Sequence, residues 1–470
     1  MSDRRATVEG VEVATGHWIG GERVDPGPTF EDRSPIDGAV IAEVARGGPA
    51  EVERAVAAAR DAFPGWAGLG PAGRADVLHA LADAIEGAVP RLAAVETRDN
   101  GSLLRSMERS VMPRTAHNFR YFADHLRSLA HEDFETRGHT NHVTWDPAGV
   151  TAVITPWNAP LMLGTWRLAP ALAAGDTVVF KPPEWAPLTA SLLADLARDA
   201  GMPDGVLNVV QGIGEEAGAA LVAHEGVDRI AFTGSVATGR LVAEAAGRHL
   251  TPVSLELGGK SPFLVFADAD LDAAVAQAVN QFDNAGQVCL AGTRLLVEAG
   301  IAERFLEAFL ARAAALRVGD PREETTDLGP LIAREHFDRV DGYVRRAAAA
   351  GARAALGGGP DADLGGLYYR PTLFTDVPAG AEVLREEVFG PVLTLQTFAD
   401  EEEGIAMAND TRYGLAGIVY TGDAARAERV AARLSGGTVW VNCFFVRDLR
   451  APFGGARDSG IGREGGTWSF

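Results

Sequence analysis

Two side chains of different chemistry close one stretch of the chain, Glu256 in LELGGKSP and Cys289 in NAGQVCLAG, each beside glycines that leave room for a ligand. A thiol can add to an electrophilic carbon, and a carboxylate can deprotonate the water that later releases the product. The pair therefore suits covalent catalysis followed by hydrolysis. On these two residues alone, a small core thiol and a solvated turn acid are an equally good account. Asn158, in TPWNAP, sits on a Pro-flanked turn ahead of a helix that starts near Pro160. There its amide either caps the turn or donates to a developing oxyanion. Lys181 and Lys260 are the only lysines among 43 basic residues. Where arginine has replaced lysine everywhere else, the two survivors point to a task that a planar guanidinium cannot perform.

Other loops read as ligand loops. FTGSVATGR puts Gly234, Ser235 and Gly239 after an expected strand and at the opening of a helix. Free N–H groups and a hydroxyl there suit a pyrophosphate, although a Gly-Ser turn without a ligand fits the motif as well. In KPPEWAP, Glu184 follows Lys181 closely. An acid at that place accepts from ribose hydroxyls and repels a 2'-phosphate, which favours NAD over NADP. His139 and His142 form an HxxH pair with no evident third ligand, so no metal is expected.

The elements that must hold these residues follow from patterning. At 470 residues and 47% apolar content the chain has material for two or three domains with large cores. A formal charge of -21 argues against nucleic-acid and anionic-membrane surfaces and favours a small-molecule function. No apolar run has signal-peptide or membrane-spanning character, which predicts a cytoplasmic protein. Two cysteines, Cys289 and Cys443, are too few for a disulfide framework. The first 50 residues read as peripheral hairpins, and helical spacing runs from Pro49 to about Arg127. From Gly149, GVTAVITPW, DTVVFKP, GVLNVVQG, DRIAFTG and TPVSLELGG read as strands separated by single helices, a parallel doubly wound sheet. Ligands bind beyond the carboxyl ends of such strands, where Asn158, Lys181, Gly234, Ser235 and Glu256 all fall. A second α/β unit follows, with SPFLVF, TRLLVEAG, YRPTLFTDV, PVLTLQTF, AGIVYTG and GTVWVN as strands.

Taken in order, TPWNAP, KPPE, FTGS, LELGGKSP, GQVCLAGTR, EEVFGPV, NDTRYGLAG and PFGGARDSGIGREGG resemble the aldehyde dehydrogenase superfamily over nearly the whole chain. The resemblance implies an α/β fold with two doubly wound parallel-sheet domains and a small bridging region. The Rossmann-like NAD-binding domain would take residues 1–129 and 146–256, and the catalytic domain 257–445. The bridging or oligomerisation region would take 130–145 and 446–470. It implies Cys289 as nucleophile, Glu256 as base for thioester hydrolysis, and Asn158 with the Cys289 backbone N–H as oxyanion hole. NAD would be held by Thr155, Pro156, Trp157, Lys181, Glu184, Gly218, Phe232, Gly234, Ser235, Leu257 and Gly258, with Glu387 and Phe389 at the nicotinamide end. Members that acylate coenzyme A generally lack the glutamate, so Glu256 favours water as acceptor.

Within the superfamily, MPRTAHNFRYF and VRDLRAPFGG look most like the 2-hydroxymuconate, 2-aminomuconate and 5-carboxymethyl-2-hydroxymuconate semialdehyde dehydrogenases. That implies Arg114 and Arg450 gripping a substrate carboxylate, with Trp166, Phe453 and Phe444 or Phe445 lining an apolar tunnel. The alternatives are a broad-specificity or betaine-type aldehyde dehydrogenase and, from another class, an inactive binding or structural homologue. Family members commonly continue past GREGG into a tail that adds a strand to a neighbouring subunit, whereas this sequence stops at Phe470. A homo-oligomer, dimer or tetramer, is still expected, with the segment 130–145 as an interface hairpin.

Overall fold

The computed structural model describes residues 4–24, 27–129 and 132–470. Its first sheet is built on four neighbouring parallel strands, β1 (Val150–Ile154), β2 (Thr177–Lys181), β3 (Arg229–Thr233) and β4 (Val253–Glu256). Their sequences are nearly continuous apolar runs because helices cover both faces, and every residue of β1 and β2 is buried. The spatial order is β4-β3-β1-β2, continued by Leu207–Val209 and then antiparallel by His17–Ile19 and Glu22–Val24. The last hairpin, expected at the periphery, therefore extends this sheet. The order reverses between β1 and β3, so the loops after these two strands diverge and leave a crevice at the carboxyl edge.

Helices α1 (Val89–Asn100), α2 (Met112–Leu126), α3 (Pro160–Ala174) and α4 (Leu188–Asp199) pack on one side. α5 (Val236–His249) follows β3. Two carboxylates near the end of α1 serve the starts of its neighbours. Glu96 Oε2 accepts from the Leu161 N–H of α3 at 3.3 Å and from Thr189 Oγ1 of α4 at 2.8 Å, and Asp99 Oδ2 accepts from the Leu188 N–H at 3.0 Å. First-turn N–H groups have no intrahelical partner, so these bonds fix where both helices begin.

The second sheet has seven strands in the order Arg353–Leu356, Thr372–Thr375, β7 (Val392–Phe398), β6 (Arg294–Glu298), β5 (Pro262–Val265), β8 (Ala416–Tyr420) and Thr438–Val441. All pairs are parallel except the first. It presents the amino ends of β5, β6 and β7 to the first sheet's carboxyl edge, which is why LELGG, the Cys289 loop and the Glu387 segment meet there. Helix α6 (Arg334–Ala349) flanks this edge. Gly460–Ile461, from the C-terminal region, returns to pair antiparallel with β4. A two-stranded hairpin, Glu132–Thr136 with His139–Val143, stands exposed on both faces, and His142 Nδ1 lies 2.7 Å from Asp133 Oδ1 on it. Ala130 and His131, where the expected bridging segment begins, lie outside the described residues. Among the described residues no helix is long and apolar enough to cross a membrane.

Candidate active site

Glu256 is the last residue of β4, and the glycines after it explain why nothing larger follows. A Cβ on Gly259 would lie 2.7 Å from the Cys289 carbonyl oxygen, and one on Gly258 would lie inside the Glu387 carboxylate. The Gly259 N–H donates to Glu387 Oε1 at 3.0 Å. This glycine pair thus lets three segments from two sheets touch, which a side chain at either position would prevent.

The Cys289 loop is shaped by three consecutive left-handed residues, Asn284 (φ 50°), Ala285 (φ 54°) and Gly286 (φ 71°). The first two carry side chains and hold the conformation at a cost of about 1 to 3 kcal/mol each. Hydrogen bonds around them supply the restraint. Asn158 Nδ2 donates to the Gln287 carbonyl at 2.9 Å, Asn284 Nδ2 to the Asn158 carbonyl at 3.1 Å, and Gln287 Nε2 to the Asn284 carbonyl at 3.0 Å. One N–H of Asn158 is committed to this loop two residues ahead of Cys289, which orients its amide and leaves the second N–H as a donor.

Burial and neighbouring charges of both signs set the electrostatics of the pocket. Burial pushes the Cys289 thiol up to about 12, with Glu387 and Glu256 adding and Arg447 opposing. Burial also raises Glu256 to about 7 against the pull of Arg167, Arg447 and Arg463, and its Oε1 has no hydrogen-bond partner. The thiol is neutral at rest, and two carboxyls that burial raises to about 7, Glu387 and Glu256, act on it.

At the other end of the pocket Arg447 is enclosed by rings. Its guanidinium carbon lies 3.9 Å from the Phe453 centroid and 4.8 Å from that of Trp166. Arg114 lies 6.0 Å from the same Trp166 ring, with a buried Nε that lacks a partner. No carboxylate or carbonyl pairs with Arg447 among the described residues, and burial, reinforced by Arg114, lowers it to about 10. Trp166 is buried and donates from Nε1 to Glu464 Oε2 at 2.5 Å.

On the first sheet's rim, Thr155 follows β1 with a buried hydroxyl that has no partner. Trp157 packs edge-on to Phe389 at 5.3 Å and lies 5.8 Å from Trp185. Lys181 Nζ bonds Glu184 Oε2 at 2.8 Å, and although burial alone would raise Glu184, Lys181 holds it below the usual carboxylate range. Ser235 caps α5, its hydroxyl accepting from the Thr238 N–H at 3.1 Å. An orphaned hydroxyl, a cation-acid pair and an open helix start on one rim fit the donor and acceptor set of a dinucleotide.

A family model described as aldehyde dehydrogenase family matches residues 23–470. The chain belongs to the aldehyde dehydrogenase family. It is 44% identical over 462 residues to the 5-carboxymethyl-2-hydroxymuconate semialdehyde dehydrogenase of Escherichia coli, covering 96% of this chain and 98% of that protein. It is 41% identical over 463 residues to the 2-aminomuconic semialdehyde dehydrogenase of Danio rerio, covering 97% and 95%. Among solved structures, betaine aldehyde dehydrogenase from Staphylococcus aureus in complex with NAD+ superposes with a TM-score of 0.95 at 38% identity, covering 97% and 93%.

Against the sequence reading, this aldehyde dehydrogenase differs at the substrate end. Arg450, expected beside the substrate, is 79% exposed and forms a two-pronged pair with Asp448, Nε to Oδ1 at 2.9 Å and Nη2 to Oδ2 at 2.6 Å. The turn closed by the Ala451 N–H on the Asp448 carbonyl sends Arg450 outward and leaves Arg447, which the sequence reading missed, facing in. Phe444 packs on Trp440 at 5.4 Å, whereas Phe445 is half exposed. Phe232 and Leu257 are buried, and a Cβ on Gly234 or Gly239 would strike their side chains. Their role is to floor the Ser235 loop and not to reach into it. Gly218 closes the short turn Gly214–Gly218, whose first residue lies beside Glu184.

Proposed function

We propose that this aldehyde dehydrogenase oxidises, with NAD, an aldehyde whose far end carries a carboxylate, a semialdehyde of the muconate type. The observation that carries the reading is Arg447, a half-buried guanidinium with no hydrogen-bonded or ion-paired partner among the described residues, stacked on Phe453 and Trp166 with Arg114 beside it. A charge so placed is costly until an anion meets it. A carboxylate there receives charge-assisted bonds while its apolar chain crosses the aromatic walls toward Cys289. The relatives named for muconate semialdehydes agree with this assignment. A betaine-type substrate would bring a cation to the same two arginines.

In this reading Cys289 Sγ adds to the aldehyde carbon while Glu256, a stronger base than an ordinary glutamate because burial raises it to about 7, takes the thiol proton as the C–S bond forms. The carbonyl oxygen gains the electron pair and is met by the free Asn158 N–H and the Cys289 backbone N–H. Loss of one such donor typically costs roughly a hundred- to a thousand-fold in rate. When bound, NAD supplies the acceptor for the hydride whose departure leaves a thioester on Cys289. Glu256, having released its proton, then deprotonates a water that attacks the thioester, the acid leaves, and the thiol is restored. Lys181 and Glu184 hold the adenine ribose, Thr155–Trp157, Gly234 and Ser235 the pyrophosphate region, and Glu387 with Phe389 the nicotinamide end. We further place the enzyme in the cytoplasm as a homo-oligomer, with the exposed hairpin at 132–143 as its bridging element.

The test is a panel of carboxylated, neutral and cationic aldehydes of matched length, read by NADH absorbance. Arg447→Leu should raise KM for the carboxylated member about ten- to a hundred-fold and change KM for the neutral one far less. Equal effects on both, or a wild-type preference for the cationic member, would reject the substrate assignment.

A further inference from the structure

We propose that His336 is a positioning residue for the nicotinamide end of the site, acting by holding the Phe389 carbonyl. The inference rests on the reading of Glu387 and Phe389 given above. His336 is on the first turn of α6 and is 4% exposed. Its Nε2 lies 2.7 Å from the Phe389 carbonyl oxygen, so this nitrogen carries the proton and donates. The imidazole is also packed 5.1 Å from Trp157 and 6.0 Å from the Phe389 ring. One turn along the same helix, Arg339 Nη2 donates to the Glu387 carbonyl at 2.9 Å. The two side chains thus grip the carbonyls on either side of Val388.

That grip has something to hold. Phe389 lies in the left-handed region at φ 60°, a conformation that costs a side-chain-bearing residue about 1 to 3 kcal/mol. Next to it, a Cβ on Gly390 would strike Val340 of α6 at 2.7 Å, and one on Gly286 would meet the Gly390 carbonyl oxygen at 2.1 Å. The segment is therefore wedged between α6 and the loop that leads to Cys289. Without the His336 bond, a part-buried carbonyl loses its donor and the left-handed Phe389 loses its restraint, so the ring that faces the nicotinamide drifts. Burial lowers His336 to about 4, which keeps it a neutral donor at ordinary pH.

The experiment compares His336→Leu, which removes the donor, with His336→Gln, which keeps a side-chain N–H at similar reach. Three readouts separate positioning from general damage. They are NAD affinity by calorimetry, NADH formed in the first turnover, and hydrolysis of p-nitrophenyl acetate without NAD, which needs Cys289, Glu256 and the Asn158 donor but not the nicotinamide end. In His336→Leu the first-turnover rate should fall about ten- to a hundred-fold while NAD affinity and ester hydrolysis stay within about threefold of wild type, and His336→Gln should recover most of the rate. An unchanged rate in His336→Leu, a parallel fall in ester hydrolysis, or a Gln variant no better than Leu would overturn the proposal. Glu387→Gln, run alongside, tells the two readings apart. If it slows the first turnover and His336→Leu does not, only the role of His336 fails. If neither does, the assignment of the 387–389 segment itself is wrong.

Discussion

Among single residues, the long-range pull of Arg447 on Glu256 has the sharpest consequence. In the proposed mechanism Glu256 acts as a base only when ionised, so deacylation should be lost as pH falls through its pKa, held near 7 by burial against neighbouring arginines. Arg447 is one of those arginines, and removing a positive neighbour raises a carboxyl's pKa further. Arg447→Met should therefore move the acid limb of kcat to higher pH, with activity at pH 7 lower and recovered by about pH 9. A neutral aldehyde keeps substrate binding out of the comparison, and a limb that stays in place or moves down would show that Arg447 does not act on Glu256. Why the sequence pointed to Arg450 is also a matter of residues. Asp448 stands between two arginines and can pair with either, and only the turn at Ala451 decides which faces solvent. The apolar triplet Phe444–Val446 just before Arg447 is the signal that favoured it.

Elements were legible where one period dominates and obscure where the backbone departs from it. The inner strands show as unbroken apolar runs, and Asn158, Lys181, Ser235 and Glu256 do fall on one rim because parallel strands share a direction. The strand Arg353–Leu356 was missed since RAAL continues an alanine-rich helix pattern, and its pairing with Thr372–Thr375 is non-local. Nothing in NAG announces two left-handed non-glycine residues, which exist only because Asn158, Gln287 and Ser102 restrain them. The joint between α1, α3 and α4 was equally hidden, and it makes a prediction of its own. Burial raises Glu96 to about 7, above the value near 4.5 of an unburied glutamate. Between those pH values the folded state keeps a proton that the unfolded chain has released, so raising pH from 5 to 8 costs stability, by up to about 3 kcal/mol. Both bonds end on Oε2, which a glutamine oxygen replaces. Glu96→Gln should thus be less pH-dependent in urea denaturation and at least as stable as wild type at pH 8; a steeper dependence would contradict this account. Glu96→Leu, which strands the Leu161 N–H, should lose about 1 to 3 kcal/mol at any pH.

For the whole molecule the question is how a chain of formal charge -21 would collect the carboxylated aldehyde proposed for it. Surface pairs such as Arg433–Glu402 and Arg120–Asp83 cancel locally, but 64 acids against 43 bases leave an excess whose repulsion acts over long range. Arg447 and Arg114 act at contact from inside a low-dielectric pocket. Salt distinguishes the two, because the Debye length shrinks from about 30 Å at 0.01 M to about 8 Å at 0.15 M. Over that range the distributed repulsion is largely screened, whereas a guanidinium touching a carboxylate among Phe453 and Trp166 is shielded little. KM for a carboxylated aldehyde should therefore fall as salt rises, by roughly twofold, while KM for a neutral aldehyde of the same length stays level. Arg447→Leu should keep the long-range part, so its higher KM should fall by a similar factor over the same salt range. A KM for the carboxylated substrate that rises with salt would mean that exposed arginines such as Arg450 draw the anion in, and would return that residue to the substrate path.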